Sequence, residues 1–148
     1  MTLVNMLIGL PMMMLCLLVQ TAAAFWGVRH YARRMDRLAG RSGFFASTRP
    51  LLSVMTIMLT GNFIQILLWG GLYFLLREFD HFHVAVYHSA VNFASLGYGD
   101  IVMSKEWKML GALEAVVGVL MLGMTSAALM AILSQMIKVQ RKALGLEE

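Results

Sequence analysis

Three long runs of residues without charged side chains constrain the fold of this chain more than any other feature. The runs 3–28 and 51–76 contain no Asp, Glu, Lys or Arg, and the run 109–137 contains only Glu114. A helix that crosses a bilayer needs roughly 20 consecutive apolar residues, and each run is longer than that. The sequence therefore predicts an all-α membrane protein with three transmembrane helices.

The composition excludes two broad classes of protein. Of the 148 residues, 59% are hydrophobic and 14% are charged, whereas a soluble domain carries roughly 25% charged residues. Disordered chains combine low hydrophobicity with high charge, which is the opposite pattern. Cys16 is the only cysteine, so no disulfide can form within the chain and Cys16 has no cysteine partner for a metal site.

Basic residues are concentrated on one predicted side of the membrane. The positive-inside rule places the arginine-rich segment between the first two runs in the cytoplasm, which puts the N-terminus outside and the C-terminus inside. This distribution accounts for the net charge of +4 without nucleic acid, and it predicts contact with anionic lipid at Arg29–Arg49. We expect a multi-pass protein of the plasma membrane, in a prokaryotic inner membrane. The basic residues on this side are Arg29, Arg33, Arg34, Arg37, Arg41, Arg49, Lys138, Arg141 and Lys142.

A short apolar segment lies between the second and third runs. Residues 84–94 reach about halfway across a bilayer as a helix, and the sequence Ser-Leu-Gly-Tyr-Gly-Asp follows at residues 95–100. Glycine at alternate positions, Gly97 and Gly99, permits positive φ, so that successive carbonyl oxygens can point towards one axis. A ring of oxygens that replaces the water shell of a cation needs several copies of the chain, which predicts a closed cyclic oligomer.

The segment Ser95–Asp100 resembles the potassium-channel filter signature, whose usual form is Thr-Val-Gly-Tyr-Gly-Asp. Residues 87–94 are similar to the pore helix of that family, and residues 118–129 resemble the inner helix of the small bacterial potassium channels. The resemblance is to the tetrameric potassium-channel pore domain of the two-transmembrane type, and it covers about residues 51–140. The first predicted helix lies outside it.

The resemblance implies a tetrameric pore with a re-entrant pore helix and an extended selectivity filter. The chain then divides into four segments. They are an N-terminal transmembrane helix (1–28), a basic cytoplasmic linker (29–50), an ion-channel pore domain (51–140) and a short cytoplasmic tail (141–148). Within the pore domain the expected elements are an outer helix (51–77), a pore helix (84–95), a filter (95–100) and an inner helix (107–138).

The same resemblance assigns roles to residues of the filter and its surroundings. K⁺ would be coordinated by the carbonyl oxygens of Ser95, Leu96, Gly97 and Tyr98 and by the Ser95 hydroxyl, with Gly99 completing the filter. Filter support would come from Asp100, Glu114, Tyr87 and His88. Ser95 and Leu96 stand where the family usually has Thr and Val, and Tyr87 and His88 stand where many relatives have a Trp pair. These departures bear on how strictly K⁺ is selected over Na⁺.

The predicted inner helix carries further candidate residues. On a helical wheel Val119, Leu122 and Ser126 share one face and are predicted to line a cavity. Glu114 lies off that face, so we interpret it as a hydrogen-bonding support of the pore helix, through His88, Asn92 or Tyr87, rather than as a cation attractor. A narrow inner gate is predicted at Ser126, Ala127 and Met130. For Gly118 and Gly123 two interpretations stay open, a gating hinge and close helix packing.

The sequence favours passive ion conduction over chemistry. An enzyme needs convergent titratable groups in a pocket, and a nucleotide-binding Gly-Lys-Ser/Thr step is absent. We therefore expect no catalytic residue and no cofactor, with K⁺ as the permeant ion. Two alternatives are a weakly selective monovalent cation channel and a non-conducting membrane subunit. A separate open interpretation is that His81, His83 and His88 bind a metal ion or sense pH.

Overall fold

A computed structural model describes residues 2–38 and 44–143, and the side chains of residues 2–33 and 49–141. In this part of the chain every regular element is an α-helix, and there is no strand. The helices are α1 (Thr2–Leu38), α2 (Phe44–Leu75), α3 (Phe82–Phe93) and α4 (Lys108–Ala143). Three apolar stretches are long enough to cross a membrane, namely Thr2–Arg33, Arg49–Leu75 and Lys108–Arg141. The all-α fold with three membrane-spanning helices is confirmed.

The ends of the helices differ from the bounds expected from the apolar runs. Helix α1 continues through the basic residues to Leu38, and α2 begins at Phe44, so most of the segment predicted as a linker (29–50) is helical. Apolarity marks where a helix lies in lipid and not where it stops, and arginine is a good helix former. Helix α3 begins and ends about two residues earlier than expected. Arg41 and residues 144–148 lie outside the described residues, as do the side chains of Arg34, Arg37 and Lys142.

Helix α1 packs on its own chain through a narrow stripe of small and polar residues. Its buried positions recur at alternating intervals of four and seven residues, and α1 contacts α2 and α4 along this stripe. Small residues let helix backbones approach closely in a membrane, and polar side chains hydrogen-bond between helices. The rest of the α1 surface is largely exposed in the single chain. The stripe consists of Asn5, Gly9, Cys16, Gln20, Gly27 and Tyr31.

Helix α2 ends in a left-handed turn that redirects the chain towards α3. Arg77 has a φ of 57°, and the Glu78 amide donates to the Tyr73 carbonyl at 3.1 Å, which is the Schellman pattern of a helix end. The Glu78 carboxylate then accepts hydrogen bonds from the Ser104 amide at 2.8 Å and from the Ser104 hydroxyl at 2.7 Å. The chain between Glu78 and Ser104 thus leaves the helical bundle and returns to it at the same end.

Helix α3 lies inside that excursion and packs on both α2 and α4. At about 1.5 Å per residue its 12 residues span roughly 18 Å, which is about half of a bilayer. Two glycines allow this close packing, Gly70 on α2 against the Val86 backbone and Gly118 on α4 against the Phe93 backbone. Around them lies an apolar core that includes Trp69 and Leu110. The short helix is therefore held at fixed depth between two spanning helices.

Candidate functional site

The segment that follows α3 starts from a defined helix end. The Leu96 amide donates to the Val91 carbonyl at 2.9 Å, and the Ser95 amide donates to the Asn92 carbonyl at 2.8 Å. Ser95 has a φ of 54°, so it occupies the left-handed position that closes a Schellman motif, where glycine is usual. Residue type does not predict this conformation, because serine rarely adopts it. The helix end fixes the direction in which residues 96–100 leave α3.

The two glycines of the segment have the conformation that their spacing predicts. Gly97 has a φ of 56° and Gly99 a φ of 72°, so positive φ occurs at three alternate residues when Ser95 is included. A Cβ added at Gly97 or Gly99 would meet no atom within 4 Å. Leu96 and Tyr98 alternate with them, and their side chains are 56% and 68% exposed in the isolated chain. The segment is irregular backbone with open surroundings, not a strand.

Tyr87 of α3 hydrogen-bonds to Asp100, the last residue of this segment. The Tyr87 hydroxyl donates to Asp100 Oδ2 at 2.8 Å. This hydrogen bond, which favours the protonated phenol, is the main cause that raises the pKa of Tyr87. Asp100 was expected to support the segment together with Tyr87, and the hydrogen bond places the two side chains in contact. Both side chains are exposed in the single chain.

His88 of α3 braces the residue after Asp100. Its Nδ1 lies 3.1 Å from the Ile101 carbonyl oxygen, and its Nε2 lies 2.9 Å from Asn92 Nδ2. The carbonyl can only accept and the amide nitrogen can only donate, so the neutral ring with the proton on Nδ1 satisfies both contacts. His88 is buried against the rings of Tyr73 and Phe79 at 5.7 Å and 5.0 Å. Burial is the main cause that lowers its pKa.

The neutral form of His88 predicts acid sensitivity of the fold. Above about pH 6.5, the ordinary histidine pKa, the ring is neutral in the folded and unfolded chains. Below that pH the unfolded chain binds a proton that the folded chain resists, so the free energy of unfolding falls as the pH falls. We expect the thermal unfolding midpoint to drop between pH 7.5 and pH 5 by more in the native protein than in His88→Gln. Equal drops in the two proteins would contradict this assignment.

Glu114 joins three helices at one buried point. Its side chain is fully buried, its Oε2 accepts from the Tyr73 hydroxyl of α2 at 2.6 Å, and its Oε1 lies in hydrogen-bonding contact with the Ser89 hydroxyl of α3. Ser89 also donates to the Ile66 carbonyl at 2.8 Å. Glu114 contacts the short helix, with Ser89 as the hydrogen-bonding partner. Of the three expected partners, Asn92 also interacts with the Glu114 carboxyl group, whereas His88 hydrogen-bonds to Ile101 and Asn92 and Tyr87 to Asp100. Glu114 faces the helix bundle and not the exposed face of α4.

Tyr73 and Ser89 are the two residues of this cluster that sequence reasoning overlooked. Each is a single polar group in an apolar helix, and a hydroxyl at membrane depth needs a partner. The pairing of such residues across helices depends on helix rotation, which the apolar pattern of α2 does not define. A search for hydroxyl and carboxyl groups within the predicted spans is the signal that would have singled them out.

The structure distinguishes Gly118 from Gly123, for each of which a gating hinge and close helix packing were both possible interpretations. A Cβ at Gly118 would overlap the carbonyl group of Phe93, the last residue of α3. A Cβ at Gly123 would meet nothing within 4 Å. Gly118 is therefore required for packing within the chain, and Gly123 is not. Helix α4 is continuous through both positions.

The residues expected to line a cavity or form a gate lie on the exposed face of α4. The opposite face of α4 is buried against the other three helices, through Leu110, Glu114, Met121 and Thr125. Val119 is 57% exposed and Met130 is 64% exposed in the single chain. The exposed face thus remains available to other copies of the chain. Its members from the sequence analysis are Val119, Leu122, Ser126, Ala127 and Met130.

The histidines do not converge with acidic residues in the described part of the chain. The rings of His81 and His83 stack at 5.5 Å, and both residues are exposed. His88 points the other way, towards Ile101 and Asn92. Among the described residues no group of three His, Cys, Asp or Glu side chains is placed to hold a metal ion.

The chain matches a protein-family model described as "Ion channel" over residues 52–135. The match covers more than half of the chain and includes α3, residues 95–100 and most of α2 and α4. The whole of α1 lies outside it. Comparisons with curated proteins and with solved structures gave no match.

Proposed function

Because this chain belongs to the two-transmembrane ion-channel family, we propose that it conducts K⁺ passively through a filter formed by residues 95–100. The observation that carries this proposal is the alternation of positive φ at Ser95, Gly97 and Gly99. Alternating left- and right-handed backbone directs successive carbonyl groups towards the same side. Stacked rings of such carbonyls can replace the hydration shell of a monovalent cation.

We propose that four copies surround the ion path as a homotetramer. One chain presents one edge of each ring, and its Leu96, Tyr98 and Val102 side chains are more than half exposed. The exposed face of α4 then lines the cavity below the filter, with the inner gate at Ser126, Ala127 and Met130. The C-terminal end of α3 carries a partial negative charge, which favours a cation beneath the filter. Exposed Arg29, Arg33 and Arg49 would contact anionic lipid on the cytoplasmic side of a plasma membrane.

A weakly selective monovalent cation channel is the second candidate. One observation favours it, since Ser95 lacks the methyl group that stiffens threonine and sits in a left-handed conformation at the entrance of the segment. A more mobile first ring would hold carbonyls less firmly around K⁺. The third candidate, a non-conducting subunit, would retain the helical packing without ion flow.

The reversal potential under opposed K⁺ and Na⁺ gradients separates these candidates. We expect purified protein in planar bilayers to give currents that reverse near the K⁺ equilibrium potential and that stop on addition of Ba²⁺. Gly97→Ala should abolish the current, because a non-glycine residue at positive φ costs about 1–2 kcal/mol in each of four chains. Reversal near zero would support the weakly selective channel, and ion flow that Gly97→Ala leaves intact would contradict the proposed filter.

A further inference from the structure

A cluster of four buried polar side chains lies between α1, α2 and α4, within the membrane-spanning stretches. Gln20 Nε2 of α1 donates to Thr125 Oγ1 of α4 at 2.8 Å, and Gln65 Nε2 of α2 donates to Gln20 Oε1 at 2.8 Å. Asn62 Nδ2 of α2 donates to Thr125 Oγ1 at 3.3 Å. All four side chains are at least nine-tenths buried. We call this group the amide–hydroxyl cluster.

Thr125 is the point at which the cluster holds α4. Its hydroxyl donates to the Met121 carbonyl at 2.9 Å and accepts from Gln20 and Asn62, so its hydrogen-bonding capacity is filled. Thr125 directly precedes Ser126, the first residue of the proposed inner gate. Movement of the inner half of α4 away from α1 and α2 therefore has to break the contacts of this hydroxyl.

Nearer the outer end, helix α1 also contacts the loop that precedes α4 and the first turns of α4. Asn5 Nδ2 donates to the Glu106 carbonyl at 2.7 Å, in the loop that connects residues 95–100 to α4. Gly9 lies against the side chains of Leu110 and Leu113 in the first turns of α4. One continuous helix thus contacts the loop after the proposed filter, the start of α4 and the residue above the proposed gate.

The approach of α1 at the cluster depends on a small residue of α2. A Cβ at Gly61 would lie 3.1 Å from Gln20 Oε1 and 3.1 Å from the Ala23 side chain. Gly61 also accepts a hydrogen bond from Gln65 through its carbonyl at 3.2 Å. The close approach lets the amide nitrogens of Gln20, Asn62 and Gln65 find acceptors on neighbouring helices, as polar groups at membrane depth require, while Asn62 Oδ1 and Gln65 Oε1 accept no hydrogen bond from the described residues. The position of α1 against its own pore helices is therefore specific and not a loose apolar contact.

From these contacts we propose that α1 regulates the pore of its own chain, with Gln20 as a positioning residue that sets the gating equilibrium through Thr125. This inference rests on the proposed function. Hydrogen bonds between membrane helices are individually weak, so they can be broken during gating. Loss of the two amide contacts to Thr125 should change the ratio of open to closed channels about fivefold. The filter itself is untouched.

The test compares Thr125→Val, which keeps the shape and removes the hydroxyl, with Thr125→Ser, which keeps the hydroxyl. We expect Thr125→Val to change the open-to-closed ratio in planar bilayers about fivefold, and Gln20→Leu, which removes one of the two amide contacts, to change it in the same direction by less. Single-channel conductance and reversal potential should be unchanged in both. Thr125→Ser should stay within twofold of the native protein. The double variant should change the ratio less than the product of the two single effects, because both remove the same contact. Gating of Thr125→Val equal to native, or of Thr125→Ser equal to Thr125→Val, would overturn the proposal.

A second measurement needs no ion flow and so separates this inference from the proposed function. Spin labels at Leu18 of α1 and Leu133 of α4, in a Cys16→Ser background, report the distance between the helices when labelled chains are diluted among unlabelled ones. We expect a single narrow distance distribution in the protein with native Thr125 and in Thr125→Ser. In Thr125→Val we expect a broad distribution. Identical distributions in all three proteins would show that the cluster does not hold α4, whether or not the protein conducts.

Discussion

Replacement of Gly118 by alanine is expected to abolish the folded, conducting protein. The added Cβ would overlap the carbonyl group of Phe93, and backbone of a helix end cannot move aside as a flexible side chain can. Overpacking of this kind costs about 1–3 kcal/mol and occasionally more, and it recurs in every copy of an oligomer. Displacement of Phe93 also moves Ser95, which begins the proposed filter. The measurement is the thermal unfolding midpoint of the purified protein, followed by tracer rubidium uptake into vesicles.

Gly123→Ala is the matched control for this prediction. It makes the same chemical change in the same helix, and its Cβ would meet nothing within 4 Å. Alanine favours helix over glycine by roughly 1 kcal/mol, so this variant should unfold at the same temperature as the native protein or at a higher one. If Gly118→Ala and Gly123→Ala unfold alike, Gly118 does not serve the close contact between α3 and α4.

Replacement of Glu114 by alanine is the second change with a large expected effect. It removes the acceptor of the Tyr73 hydroxyl and the partner of Ser89, and it leaves a cavity where three helices meet. An unsatisfied buried polar group costs about 1–3 kcal/mol, and the cavity adds to that. We expect a large loss of thermal stability and of tracer uptake, because α4 loses its polar contacts with both α3 and α2.

Glu114→Gln tests whether shape and hydrogen bonding, rather than charge, explain this role. Ser89 has one hydroxyl hydrogen, and the Ile66 carbonyl also accepts from it. A glutamine can offer its amide N–H to Ser89 and its oxygen to Tyr73, so all three groups stay satisfied. We expect near-native stability for Glu114→Gln. Halved single-channel conductance with native stability and gating would show instead that Glu114 acts on the ion as a charge.

The apolar runs were sufficient to predict the number and type of the helices. Three runs longer than a bilayer span and one half-length segment correspond to α1, α2, α4 and α3. The ends of the helices were predicted less well, because charge stops a membrane span but does not stop a helix. Thus α1 passes through Arg29 and Arg33 and ends at Leu38, ten residues after its expected end.

The backbone of the candidate site was predictable where glycine requires it and not elsewhere. Positive φ at Gly97 and Gly99 follows from residue type, and the structure has it. Positive φ at Ser95 follows from how α3 ends, which depends on the hydrogen bond from the Leu96 amide to the Val91 carbonyl. A residue pattern carries no signal for such a helix end when glycine is absent.

The side-chain partners depended on helix rotation and so were beyond the sequence. Glu114 was expected to contact α3 through His88, Asn92 or Tyr87. Asn92 does interact with it, but its hydrogen bonds to Ser89 and Tyr73 were not predicted. The packing of α1 on its own chain through Gln20 was also out of reach. A polar residue within a span predicts that a partner exists, but the identity of the partner requires the relative rotation and depth of two helices.

Ion density on the symmetry axis tests whether residues 95–98 of four chains form the ion path. The oligomer is prepared in thallium, a heavy monovalent cation close in size to K⁺, and its anomalous density is located by crystallography. We expect a tetramer with a row of thallium sites on its axis, each surrounded by carbonyl oxygens of residues 95–98. The proposed filter would be contradicted if thallium density appeared elsewhere in the protein but not on the axis beside Gly97 and Tyr98, whatever the number of chains in the assembly.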